Sequence, residues 1–310
     1  MVATADAAAD RLLTEEVALV DRSERGKLAL TGAEAKAFLA GQVTNDIEGL
    51  QPGSGCYAAL LTNKGKMLAD LRVIDVEPPA PELWLDTERA ALQTVFDILR
   101  RATVGWQTQL HKRTLQQALL SLVGPRAGDA VGAELGPEHA NRRAQLGGAP
   151  VLLIATDGGV DVVCAAEDAA SVRAALDVPQ VPEAAAEVLR VESGRPRYGV
   201  DLDDTTIPQE AGLNERAVSF TKGCYVGQET VARLHYKGKP NRHLRGLRLS
   251  AAVPPGTPLV LGEREVGRLG SSVLSPRHGP IGLAILRREA SPGDELAAGA
   301  ATATVVELPF

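Results

Sequence analysis

In the first part of the chain, the spacing of hydrophobic residues changes between that of a strand and that of a helix. Residues 27–46, KLALTGAEAKAFLAGQVTND, predict a strand and then a helix. Thr31 and Glu34 have the spacing of a capping box, in which each side chain satisfies a free amide at the start of the helix. Gly41 is the expected end of that helix. This part of the sequence therefore predicts a strand followed by a short, capped helix.

The next apolar stretch predicts more strands. Residues 55–76 predict two strands around a turn at residues 63–65, Asn-Lys-Gly. Residues 77–81, EPPAP, predict a loop, and a short strand follows at residues 82–87. We expect Thr87 to cap the amphipathic helix that comes next. The order of three strands and a helix indicates helices packed on a sheet, an α+β architecture.

From about residue 115 the pattern restarts. A strand, a Gly-Pro turn and a helix are followed by a hairpin around residues 157–159 and by two further helices, the second ending near Gly194. Beyond Pro240, short strand-like runs are separated by glycine and proline. This spacing predicts a small β-barrel or sandwich at the end of the chain.

Composition and charge narrow the class of protein. The 310 residues are 45% hydrophobic and 23% charged, which is enough for two or three domains with buried cores. The net charge of −6 argues against a general nucleic-acid-binding protein. No run of 18 apolar residues predicts a membrane span. The alanine-rich, acidic start, residues 1–10, lacks the pattern of a secretory signal and is expected to be a disordered tail.

The three cysteines are sparse and odd in number. Cys56, Cys164 and Cys224 form no CxxC pair, and this usage indicates a reducing, cytoplasmic location. The histidines show no zinc-ligand spacing, so no metal site is expected. Cys56 and Cys164 lie in apolar runs and are predicted to be protected.

Cys224 lies in a different kind of segment. The stretch FTKGCYVGQETVAR, residues 220–233, has almost no hydrophobic periodicity. Lys222 and loop amides near the thiol would favour the reactive thiolate. Gly223 and Gly227 allow positive φ or a close approach to a ligand. These features predict an accessible, reactive cysteine, although no His/Asp order indicates a thiol hydrolase.

The octet KGCYVGQE, residues 222–229, resembles the signature of the YgfZ family, folate-binding proteins that assist iron–sulfur cluster assembly and repair. The segments LTGAEAKAFLAGQVTND, LTNKGKMLADLRV and LRVESGRPRYGVDLDDTTIPQEAGL are also similar to that family. These flanking segments are shared with the aminomethyltransferase of the glycine cleavage system, a relative of the same fold. The resemblance covers most of the chain.

The resemblance implies a three-lobed arrangement around a central cavity for tetrahydrofolate or a one-carbon derivative of it. We expect a discontinuous α+β lobe from residues 1–45 and 115–238, and a second α+β lobe from residues 46–114. Residues 239–310 are expected to form the C-terminal β-barrel.

The resemblance also implies a set of site residues. Asp70 would lie near the reacting nitrogen of folate, and Ala69 stands where the transferase has another acid, which argues against aminomethyl transfer. Cys224, Lys222 and Asp70 are the candidate catalytic residues. The candidate folate-binding residues are Asn63, Asp70, Glu192, Tyr198, Glu210, Tyr225, Gln228, Glu229 and Arg233. Glutamates suit the donor edge of a pterin, and tyrosines suit stacking or a hydroxyl bond.

A basic stretch follows the signature. Residues 233–248 contain six Lys or Arg and no acid. This stretch is either a solvated face or a positive field for the glutamyl tail of a folate or for an acidic partner surface. The expected partners are folate and iron–sulfur proteins or their assembly machinery, with neither nucleic acid nor membrane.

These expectations leave three functions open. The first is a tetrahydrofolate-binding protein that supports iron–sulfur proteins through Cys224. The second is a folate-dependent aminomethyltransferase, and the third is a folate-binding scaffold without catalysis. Whether the chain is an enzyme therefore stays open at this point.

Overall fold

The computed structural model describes residues 2–78 and 82–310. Within them, the helices are α1 (Ala7–Glu15), α2 (Ala35–Ala40), α3 (Leu92–Ala102), α4 (Ala127–Val131), α5 (Ala169–Leu176), α6 (Glu183–Glu192), α7 (Asn214–Ala217) and α8 (Gln228–Lys237). The strands are β1 (Ala3–Thr4), β2 (Ala18–Asp21), β3 (Gly26–Thr31), β4 (Gly55–Leu61), β5 (Met67–Val76), β6 (Glu82–Thr87), β7 (Gln109–Lys112), β8 (Gln117–Val123), β9 (Asn141–Leu146), β10 (Ala149–Thr156), β11 (Gly159–Ala165), β12 (Arg242–Leu249), β13 (Pro258–Leu261), β14 (Arg264–Ser275), β15 (Gly279–Arg287), β16 (Glu295–Ala298) and β17 (Ala301–Val306).

Two antiparallel five-stranded sheets form the first part of the molecule. One has the strand order β4-β5-β6-β3-β7, and the other has the order β2-β8-β11-β10-β9. Side chains alternate along each strand, so each sheet has two faces with different partners. A cluster that includes Ile74, Trp84, Leu119 and Ile154 joins the two sheets. The hairpins expected at residues 55–76 and around residues 157–159 are therefore confirmed.

The sheet of β4 has α2 and α3 on one face, and its other face packs against residues 202–231 and against the second sheet. Phe38 and Leu39 of α2 and Val95 and Leu99 of α3 are buried against the first face. Burying a side chain of this size stabilises the fold by about 1.5–3 kcal/mol. The opposite face packs against residues 202–231. This second contact brings the KGCYVGQE octet onto the β4–β5 hairpin.

The C-terminal strands close into a barrel. β12, β15, β14, β13, β16 and β17 each pair with the next, and β17 pairs again with β12. Closure removes the unpaired sheet edges that an open arrangement would expose. The predicted barrel is confirmed.

Several local expectations were wrong. The expected disordered tail instead contains β1, which pairs with β14, and the beginning of α1. Thr31 and Glu34 do not form a capping box, because the Thr31 hydroxyl contacts His111 Nε2 at 2.8 Å and the Glu34 carboxylate accepts from the backbone amide of Gln107. Thr87 belongs to β6 and donates to the Asp70 carbonyl instead of capping α3.

Strand pairing also crosses the expected lobe boundary at residue 45. β3 lies within residues 1–45, yet it pairs with β6 and β7 of the segment 46–114. Hydrogen bonding between distant strands, rather than chain order, assigns β3 to that sheet. The expected loop at residues 77–81 lies mostly outside the described residues.

Candidate functional site

The β4–β5 hairpin carries Asp70 to the wall of a cavity between the lobes. Ala59 is paired with Asp70 and Tyr57 with Arg72, so these four residues share one face of the hairpin. The Tyr57 hydroxyl donates to Asp70 Oδ2 at 2.6 Å. Tyr57, Asp70 and Arg72 all line the cavity, which has a volume of about 770 Å³. That volume is within the range of roughly 300–1,000 Å³ that is typical of small-molecule sites.

The environment of Asp70 changes its protonation. Asp70 is 6% exposed. Burial raises the pKa of Asp70 to about 6, and the nearby Glu88 acts in the same direction, against the hydrogen bond from Tyr57 and the charge of Arg25. Burial and the Asp70 carboxylate together raise the pKa of Tyr57 well above its usual value. Tyr57 therefore remains a hydrogen-bond donor at neutral pH, while Asp70 is mostly an acceptor.

The cavity is rich in arginine. Among the described residues, eight arginines and five carboxylates line it. Arg72 holds two sides of the wall together, because its guanidinium donates to Asp86 and forms an ion pair with Asp161 at 2.7 Å. Burial lowers the pKa of the cavity residue His139 to about 4, so this imidazole is neutral at pH 7. Each of these arginines already pairs with a carboxylate of the protein, so an anionic ligand would share the remaining N–H donors of their guanidinium groups.

The octet lies against the other end of the same hairpin. Gly227 has a φ of +85°, and a Cβ at this position would lie 2.4 Å from the Thr62 carbonyl oxygen. A Cβ at Gly65, in the hairpin turn, would lie 2.9 Å from the Cβ of Thr230. The expected use of glycine for positive φ is confirmed at Gly227, whereas Gly223 has open space around it and no positive φ.

Lys222 is directed at the helix α2. Its ammonium donates to the carbonyls of Ala40 and Val43, and it lies 4.8 Å from the centre of the Tyr225 ring. Burial lowers the pKa of Lys222 to about 8, although Asp46 opposes this change. Lys222 thus ties the octet to the end of α2, and any catalytic role for it stays a prediction.

The three thiols have different exposures. Cys224 is exposed, as expected, and Cys164 is buried. Cys56 is half-buried rather than fully protected, and burial raises the pKa of its thiol to about 12. Cys224 is not among the residues that line the cavity.

Three other candidates have partners inside the protein. Glu192 accepts from Ser275 and forms an ion pair with Arg277, and Glu210 is paired with Arg242 at 2.7 Å. Tyr198 packs between two apolar clusters, where burial and nearby acids raise its pKa. These contacts differ from the expectation that the three residues face folate, and their role in binding stays a prediction.

The remaining candidates lie on the octet, on α8 or in the hairpin turn. Tyr225 is 7% exposed and belongs to the core beneath the octet, where burial raises its pKa to about 12. Asn63 is an exposed turn residue, Gln228 and Glu229 begin α8, and Arg233 is exposed on that helix. Of all the sequence-derived candidates, the structure places Asp70 alone in the cavity wall.

Sequence reasoning missed Tyr57 and the arginines of the cavity. The available signal for Tyr57 was its place as a tyrosine in an otherwise apolar strand, where every second residue faces the same way. The arginines Arg195 and Arg216 meet at Glu138, at distances of 3.6 and 2.7 Å. Nothing in the local sequence connects these three residues.

The described residues contain a second cavity, no helix long and apolar enough to cross a membrane, and no cluster of potential metal ligands. The second cavity, of about 1,030 Å³, lies between α6, residues 199–206 and the barrel. None of the candidate site residues lines it. In this part of the chain no helix could span a membrane, and no three potential metal-ligating side chains come together.

Comparison with known families gives two matches. The GCVT N-terminal domain matches residues 4–222, and the CAF17 C-terminal β-barrel domain matches residues 242–309. Residues 223–241, between the two matched segments, contain most of the octet and all of α8.

Individual proteins with similar sequences or structures agree with these family matches. The chain is 26% identical to the tRNA-modifying protein YgfZ of Colwellia psychrerythraea, over 74% of this chain and 71% of that protein. It is 27% identical to the aminomethyltransferase of Thermotoga maritima, over 91% of this chain and 81% of that protein. The structure superposes on the glycine cleavage system aminomethyltransferase T of Bartonella henselae with a TM-score of 0.86 at 23% identity, covering 98% and 88% of the two chains. The expected resemblance and the expected fold are both confirmed.

Proposed function

Because the chain belongs to the family of the GCVT N-terminal domain and ends in a CAF17-type barrel, we propose that it binds tetrahydrofolate, or a one-carbon derivative of it, in the central cavity. We further propose that it supports the assembly or repair of iron–sulfur proteins through Cys224. The observation that carries the first part is the buried Asp70 carboxylate, held by Tyr57 at the wall of an arginine-rich cavity.

The residues of the cavity suit a reduced folate. A carboxylate accepts hydrogen bonds from the N–H groups of a pterin, and it stabilises positive charge that develops on a one-carbon group. The arginines suit the carboxylates of a glutamyl tail. Bound tetrahydrofolate would supply the one-carbon carrier, while Asp70 would orient the pterin and Tyr57 would orient Asp70.

Calorimetric titration with tetrahydrofolate tests the binding. We expect saturable binding that Asp70→Ala weakens at least tenfold. Asp129→Ala is the matched control, because Asp129 is a solvent-exposed carboxylate of α4. Absence of binding at millimolar tetrahydrofolate would exclude the proposed ligand.

The role of Cys224 is tested separately in cells that lack this protein. Cys224→Ser is expected to abolish the recovery of iron–sulfur enzyme activity that the unchanged chain provides. Thr221→Ala, an exposed substitution three residues away, is the control and should restore full activity. Recovery by Cys224→Ser would show that the octet is structural.

Aminomethyl transfer is the second candidate, and one observation favours keeping it. Ala69 is 0% exposed and packs in the core with α2 and α3, on the face of β5 opposite Asp70. Residue 69 is therefore not part of the cavity lining, so Ala69 does not remove a group that would contact a ligand there. A reconstituted glycine cleavage assay separates the two functions, since turnover like that of an authentic aminomethyltransferase would favour the second.

A further inference from the structure

Helix α8 presents an exposed surface beside the octet. Of its ten residues, Val231 alone is buried. Tyr236 is 67% exposed and Val226, just before the helix, is 40% exposed. Exposed aromatic side chains are enriched at sites that contact another protein. We use the name α8 surface for Val226, Arg233, Tyr236, Lys237 and Lys239.

Aromatic stacking holds this surface in place. The Phe220 ring lies parallel to the His235 ring, with 3.8 Å between their centres. Tyr236 meets His235 edge-on at 4.8 Å and Phe220 at 6.2 Å. Tyr236 is therefore a supported ring that projects from a fixed base, which is the form of an interface anchor.

The α8 surface differs in charge from the rest of the protein. Residues 222–239 contain four Lys or Arg and one Glu, a net charge of +3, whereas the whole chain carries −6. The remaining residues therefore sum to −9. Arg233, Lys237 and Lys239 are exposed and form no ion pair within the described ranges, 2–78 and 82–310. Free cations on an acidic protein form a local positive field that attracts acidic surfaces.

The geometry places this surface next to Cys224. The chain runs from Phe220, which stacks on the end of α8, to Gln228, which begins the helix. Cys224 is four residues from each, so its Cα lies within about 14 Å of both. A protein bound along α8 would consequently reach the exposed thiol.

We propose that the α8 surface is a docking site for a protein partner with an acidic surface, in which carboxylates surround an apolar pocket that receives the Tyr236 ring. The proposal rests on the proposed function in one respect: the docked protein is the one whose assembly or repair Cys224 supports. None of the α8 surface residues lines the folate cavity, so docking and folate binding are separable.

A nucleic acid is the competing occupant, because exposed cations and aromatic rings also suit single strands. The surface carries three free cations within a chain of net charge −6, which is a small electrostatic footprint for a nucleic-acid site. An acidic protein fits the surface better, because such binding requires only one aromatic anchor and a few charges at the rim of the interface.

The test starts from a photo-crosslinking residue, p-benzoylphenylalanine, placed at position 236 of the full chain in cells. The control carries it at Trp106, which is 41% exposed at a distant position in the sequence. We expect a protein adduct at position 236 that is absent at position 106, with an acidic segment as the crosslinked peptide. An adduct that nuclease removes, or equal adducts at both positions, would overturn the proposal.

The partner identified by crosslinking is then purified, and its binding to variants of this chain gives the decisive comparison. Lys237→Glu/Lys239→Glu should weaken binding at least tenfold and lower its salt dependence. Arg100→Glu/Arg101→Glu is the matched control, since it makes the same charge change at the exposed end of α3 and should leave binding unchanged. Unchanged binding by the Lys237/Lys239 variant would refute the docking site.

Two further measurements separate this proposal from the proposed function. The Lys237/Lys239 variant should keep wild-type tetrahydrofolate affinity and wild-type alkylation of Cys224, which also shows that it is folded. It should nevertheless lose support of iron–sulfur enzymes in cells. Full support by this variant, together with loss in Cys224→Ser, would reject the docking site and leave the function of Cys224 standing.

Discussion

A buried carboxyl group at the cavity wall links function to stability. The pKa of Asp70 is about 6 in the folded chain and near 3.8 when unperturbed, so the folded state binds this proton more tightly. Its contribution to stability is complete below pH 4 and is lost as the pH rises through 6. At neutral pH the buried charge therefore opposes folding.

Asp70→Asn should consequently stabilise the protein by about 1–3 kcal/mol at pH 7.5, and this gain should disappear near pH 4. Urea unfolding at both pH values measures it, with Asp129→Asn as the exposed control. The same variant should bind tetrahydrofolate more weakly. A gain of equal size at both pH values would contradict the proposed origin in buried charge.

The three thiols make a second prediction at the scale of single residues. Cys224 is exposed, whereas burial raises the pKa of both Cys56 and Cys164. Alkylation of the native protein with iodoacetamide at pH 7.5 should therefore label Cys224 at least tenfold faster than the other two, as peptide mapping would show. Equal labelling rates would mean that the octet is closed in solution.

At the scale of elements, the octet approaches the β4–β5 hairpin most closely at Gly227. Gly227→Ala places a Cβ at positive φ and 2.4 Å from the Thr62 carbonyl oxygen, so the two elements must separate. We expect a loss of about 2–4 kcal/mol in the free energy of unfolding. Gly223→Ala, where nothing lies within 4 Å, should change it by less than about 0.5 kcal/mol. Similar effects of both substitutions in thermal or urea unfolding would refute this account.

At the scale of the whole molecule, Arg72 joins the two five-stranded sheets. It pairs with Asp86 of one sheet and Asp161 of the other. Burial alone would raise the pKa of Asp86, but Arg25 and Arg72 hold it well below its usual range. The ion pairs therefore keep Asp86 charged although the residue is fully buried.

Arg72→Met would leave these buried carboxylates short of a partner and should destabilise the protein by about 3–5 kcal/mol. Arg126→Met is the control, because the Arg126–Asp129 pair is exposed and should contribute less than about 1 kcal/mol. Urea unfolding measures both. A small effect of Arg72→Met would show that the sheets are held by apolar packing alone.

The sequence determined the elements that depend on local pattern. Alternation defined the β4–β5 hairpin, the short runs after Pro240 defined the barrel, and the octet identified the family and the exposed Cys224. These features could be predicted because the burial of one strand face and the conformation of glycine depend on neighbouring residues.

The tertiary structure alone decided which polar groups face the cavity. Glu192 and Glu210 are occupied by Arg277 and Arg242, which lie 85 and 32 residues away in the chain. Ala69 and Asp70 are neighbours, yet one packs in the core and the other lines the cavity. Periodicity shows that adjacent strand residues face opposite ways, but what covers each face depends on segments that are distant in sequence. The physical reason is that ion pairs and cavity walls form between such segments, so no local pattern encodes them.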